Sequence, residues 1–180
     1  MTNAKITTPP ARRQAPRCGA LAPAFTLPDA TRPADADLVR LRAWRQRRPV
    51  LLALLPEPAG AQSVAWLRAL AARDVDLEDA RAVTLAIVGG DREAVRTLWR
   101  QADVSFPLLA DATGETLAAY LGADATRPTL ALVNRYNTLL ALLPATGPDA
   151  APDLDAALRE FAFAEQEDCA CGIPEWPAEE

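Results

Sequence analysis

Three cysteines are the residues best equipped for chemistry: Cys18 near the start, and Cys169 and Cys171 near the end. Cys169-Ala170-Cys171 is a C-x-C pair. One intervening residue permits only a strained disulfide, and strained disulfides are more oxidising and exchange readily. Thiol–disulfide chemistry is therefore the sharp reading of the pair. Cys18 is its candidate disulfide partner and would tie the two ends together. Two other readings stay open: exposed, inert thiols, or a zinc site in which the three thiolates are joined by Glu167 or Asp168. The same two carboxylates disfavour a thiolate next to them by like-charge repulsion. Beyond the pair, Ile173-Pro174-Glu175-Trp176-Pro177 reads as a tail that packs Trp176 on the domain, or as a docking contact.

Composition narrows what else is available. The chain contains no His, which removes His-based triads, HExxH zinc sites and imidazole proton shuttles. Its 180 residues correspond to one domain. Half the residues are hydrophobic and 24% are charged, so the composition is globular. The net charge of −5 argues against nucleic acid as a partner. No apolar run approaches the ~18 residues of a membrane span. The segment Met1–Pro16 is polar, Pro-rich and basic, without the apolar stretch of a secretory signal. The expectation is a flexible tail over 1–18, a folded domain over 19–164, a Cys-x-Cys tail over 165–180, and a cytoplasmic location. All basic residues but Lys5 are Arg. The cluster Arg40, Arg42, Arg45, Arg47 and Arg48 reads as a solvated face.

These residues need elements to position them. Leu21–Leu27 alternates around Phe25 and Leu27 and predicts a short edge strand. Leu38, Leu41 and Trp44 recur at helical spacing and predict one or two turns. Val50–Leu55 is an unbroken apolar run closed by Pro49 and Pro56, the pattern of a strand buried on both faces. Ala61–Ala72 follows as a helix with Val64, Leu67, Leu70 and Ala71 on one face. Ala82–Val88 is a second central strand, ended by Gly89-Gly90, and Asp91 can cap the next helix, which carries Val95, Leu98 and Trp99. Trp66 and Trp99 fall on helical faces and read as core residues. Phe106–Asp111 is a short strand; Thr113–Leu121 is a helix stopped by Gly122. Thr129–Val133 and Leu139–Leu143 flank Asn134–Thr138 and read as a hairpin. Pro152–Phe163 is the last helix, with Leu154, Leu158 and Phe161 as its stripe. Strands alternating with helices and closed by a hairpin give an α/β layer architecture with a mixed sheet.

In this order the segments resemble the peroxiredoxin family, also called alkyl hydroperoxide reductase and thiol-specific antioxidant. "GALAPAFTLPDA" resembles its first strand, and "LVRLRAWRQRRPVLLALLP" the lead into its central strand. "FPLLADATGETLAAYLG" resembles the stretch after its third helix, and "RPTLALVNRYNTLL" its late hairpin. The resemblance spans about Gly19 to Phe163 and implies a thioredoxin-like fold: a central mixed β-sheet flanked by helices.

The family pattern after the central strand is Pro-x-x-x-Thr-x-x-Cys. Its Cys is the peroxidatic nucleophile, activated at a helix N-terminus. Here Pro56 matches the Pro, Gly60 falls at the Thr and Ser63 at the Cys. A serine hydroxyl is a far weaker nucleophile than a thiolate, and no His stands by to activate it. The resemblance assigns Arg127 to the Arg that orients the peroxide, and Pro128 to the position where thioredoxin-like folds carry a cis-Pro beside the active site. It implies a thiol-dependent oxidoreductase whose redox activity, lacking the usual Cys, falls to Cys169 and Cys171. The alternative is a non-catalytic relative kept as a binding or assembly module. Neither a cofactor nor a metal is expected. The expected partners are a thiol–disulfide reductant or substrate protein and a second copy of the chain.

Overall fold

The protein is described by a computed structural model covering residues 15–33, 38–57, 60–122, 126–147 and 150–170. Val50–Leu55 forms β3, and every one of its six residues is buried. Its side chains alternate between two cores. Val50, Leu52 and Leu54 pack with Phe25, Leu27, Leu41, Leu117 and Tyr120. Leu51, Ala53 and Leu55 pack with Leu67, Leu70, Leu77, Val95, Leu98 and Phe161. Burying each leucine stabilises the fold by about 2 kcal/mol. An apolar side chain at all six positions is therefore what a central strand requires.

β4 (Val83–Gly89) lies parallel to β3, with Leu52 opposite Leu85. β5 (Leu108–Asp111) is parallel to β4, β6 (Thr129–Val133) is antiparallel to β3, and β7 (Leu139–Pro144) closes a hairpin with β6. The sheet order is β5-β4-β3-β6-β7. The helices α1 (Ala61–Ala71), α2 (Asp74–Asp79), α3 (Arg92–Ala102) and α5 (Leu154–Ala170) contribute to the first core just described or pack beside it. On the other face, α4 (Glu115–Leu121) shares the second core with the N-terminal segment. Asp91 caps α3 as expected, its Oδ1 accepting from the Ala94 N–H at 2.8 Å. Trp66 is core, whereas Trp99 is half-buried and donates its indole N–H to the Val104 carbonyl at 2.9 Å.

Several expectations are corrected. The first strand, β1, is only Thr26–Pro28, and Leu21 makes a single bridge to Thr138. Leu38 does not join a helical stripe. It belongs to β2 (Leu38–Arg40), pairs with Pro28 and is 59% exposed, and only the 3-10 turn Leu41–Trp44 follows. α2 was not legible, because Leu77 is its one buried residue and leaves no periodicity to read. The last helix continues past Phe163 to Ala170, so Cys169 is its next-to-last residue instead of part of an irregular tail. Cys171, Trp176 and the first fourteen residues lie outside the described residues.

Candidate functional site

The C-terminal ends of parallel strands are where an open α/β sheet offers crevices. β3 ends at Leu55, and half-buried Pro56 turns the chain away. Gly60, exposed and at φ 115°, precedes α1; this left-handed geometry suits a residue without a Cβ. Ser63 lies in the first turn of α1, half-buried. Antiparallel pairing to β3 brings the start of β6 to the same edge, with Leu54 opposite Thr129. Pro56, Ser63 and Pro128 meet there around a small pocket of about 130 Å³, together with Glu57, Gln62 and Trp66.

Arg127 does not line that pocket. It lines a larger cleft of about 430 Å³ with Tyr120, Thr129 and Leu142. Strand alternation explains the separation. Leu130 and Leu132 of β6 face the core shared with α1, whereas Ala131 and Val133 face the core shared with α4. Continuing that parity back past Thr129 puts Pro128 with Ser63 and Arg127 with Tyr120. The Arg127–Pro128 peptide is trans, contrary to the expected cis-Pro. Trans is the lower-energy state of an X–Pro bond by about 0.5–1 kcal/mol, and the Pro128 carbonyl is held by the Ala145 N–H at 2.8 Å.

Cys18 is exposed and stands at the other end of the sheet. The next residue, Gly19, donates to the Leu139 carbonyl at 2.8 Å. Leu139 pairs with Val133, which is opposite Val50 at the start of β3. The length of β3 therefore lies between Cys18 and Ser63. The backbone of Cys169 is in the last turn of α5, and its side chain lies outside the described residues. The zinc alternative needs Cys171 and falls outside them too. The five arginines from Arg40 to Arg48 are exposed, as a solvated face requires.

Sequence reasoning missed Trp66 and Gln62 as pocket walls, although their positions on α1 beside Ser63 could have suggested them. It also missed why Gly89 is glycine. A Cβ there would overlap the Pro56 carbonyl oxygen and come within 3.3 Å of Leu117 Cδ1. β3 and β4 thus approach each other backbone to backbone where both strands end. On the adjoining side, Asp111 is 2% exposed, and its Oδ2 accepts the Leu117 N–H at 2.8 Å, fixing α4 to β5.

The model of the AhpC/TSA family matches residues 18–141, more than half of the chain. The chain belongs to the AhpC/TSA family. Solved structures agree on the peroxiredoxin fold. The peroxidoxin BcpB of Mycobacterium tuberculosis is 18% identical, with a TM-score of 0.69 over 81% of this chain and 96% of that one. The reduced 2-Cys peroxiredoxin of Plasmodium vivax is 16% identical, with a TM-score of 0.72 over 84% of this chain and 98% of that one. AhpC of Mycobacterium tuberculosis is 19% identical, with a TM-score of 0.70 over 88% of this chain and 98% of that one. No curated protein matches the chain. Among the described residues no helix is long and apolar enough to cross a membrane.

Proposed function

We propose that this AhpC/TSA-family chain is a thiol redox protein whose chemistry does not start at α1. The observation that carries the reading is Ser63, at the position matching the family's peroxidatic Cys and walled by Pro56 and Pro128. Among the described residues that pocket holds no thiol, and the chain has no imidazole, so Ser63 itself offers no route to a sulfenic acid. Cys169 and Cys171 are the remaining neighbouring thiols. One of them, as thiolate, would take the terminal oxygen of a peroxide ROOH, becoming a sulfenic acid and releasing ROH. The other would then displace water and close the disulfide. A thiol reductant or a substrate protein would return both to thiols, with its own pair oxidised.

Intact mass with a thiol count, before and after about one equivalent of hydrogen peroxide, tests this. The expected result is the loss of two thiols and about 2 Da, reversed by a reductant and abolished in Cys169→Ser. The second reading, a binding or assembly module without catalysis, is favoured by Arg127, which lines a different cleft from Ser63. Persistence of all three thiols under peroxide would overturn the redox reading and leave the module.

A further inference from the structure

The cleft that Arg127 lines is itself suited to a ligand, independently of any thiol chemistry. It lies on the α4 side of the β6–β7 hairpin and encloses about 430 Å³, within the ~300–1,000 Å³ of small-molecule sites. Leu121, Leu142 and Pro144 supply apolar walls, and the Tyr120 ring completes them. The Tyr120 hydroxyl is already committed, donating to the Pro23 carbonyl at 2.8 Å. The Thr129 hydroxyl is likewise spent on the Arg127 carbonyl at 3.1 Å. The Tyr120 and Thr129 hydroxyls thus have partners within the protein, and Thr126 adds a further hydroxyl to the lining. Among the described residues Arg127 is the cation that lines the cleft, and no acidic side chain lines it.

We propose that this cleft binds an amphipathic monocarboxylate, with its apolar chain against Leu121, Leu142 and Pro144 and its carboxylate on the Arg127 guanidinium. A guanidinium presents two parallel N–H donors that match a carboxylate. An uncharged apolar ligand would leave that match unused, and a compact polyanion would leave the apolar walls wet. The alternation of β6 assembles the site, because it turns Arg127 and Thr129 to the same side while sending Pro128 to Ser63.

Octanoate and 1-octanol, titrated calorimetrically into the full chain, are the probes. Octanoate is expected to bind one to one and saturably. Octanol with the parent chain, and octanoate with Arg127→Gln, should each bind at least tenfold more weakly, while Arg127→Lys recovers part of the affinity. Arg127 is exposed, so the thermal midpoint of the Gln variant should match that of the parent, which separates lost binding from lost folding. Amide chemical-shift changes should centre on Leu121 and Leu142. Equal affinity for octanoate and octanol, unchanged octanoate binding in Arg127→Gln, or shifts centred elsewhere would each overturn the proposal.

Discussion

At the scale of single residues, the geometry around Tyr120 makes a pH-dependent prediction. Tyr120 is buried, and burial pushes its phenol pKa up. It therefore stays a donor to Pro23. The unfolded chain loses this proton near pH ~10, whereas the folded chain keeps it. Unfolding then releases a proton, so this contribution is whole below pH ~10 and declines as pH rises further. Urea midpoints measured from about pH 9 to 11 should fall more steeply in the parent than in Tyr120→Phe. Near pH ~9 the variant should already be about 1–3 kcal/mol less stable, because the Pro23 carbonyl loses its donor. Parallel curves would show that the phenol does not carry this effect. Arg127 teaches the complementary lesson. Its charge and its neighbour Pro128 are plain in the sequence, and so in principle is the two-residue period. What alternation cannot give by itself is which parity faces α1, and that choice separates Arg127 from Ser63.

At the scale of elements, strands and long helices were legible and short or marginal pieces were not. β3 was readable because six consecutive apolar residues between two prolines suit little else. α3 was readable from Asp91 and from Val95 and Leu98, which both end up buried. α2 and β2 escaped because each presents at most one buried side chain, so tertiary contact, not local pattern, decides them. Gly89 shows the same limit within a readable strand. As a strand ending, it is an ordinary signal. As the place where β4 meets the Pro56 carbonyl, it is a tertiary requirement. Gly89→Ala should cost about 1–3 kcal/mol of stability by overpacking, read as a lower urea midpoint with an unchanged slope. A midpoint equal to the parent's would mean that the two strand ends separate without penalty.

At the scale of the whole molecule, the sheet order β5-β4-β3-β6-β7 sets what is accessible. The N-terminal segment bonds the outer edge of β7 only at its start, where Leu139 accepts from the Gly19 N–H and donates to the Ala20 carbonyl; beyond that, no strand among the described residues pairs with it. The rest of that edge is a template for another chain, and the homodimer expected from the family resemblance would draw on it. Light scattering should return about twice the 19.3 kDa of one chain; a monomer mass at micromolar concentration would reject the dimer. The sequence by itself determined the α/β class, the central strand, the hairpin and the lack of any thiol between Cys18 and Cys169. These follow from composition and from periods of two and 3.6 residues, which are local properties of the chain. Tertiary structure alone decided that Ser63 meets Pro128 but not Arg127. It also placed Cys18 at the far end of β3 from Ser63 and required a glycine at position 89. Those outcomes depend on which faces and which strand ends are brought together, and residues distant in sequence impose them.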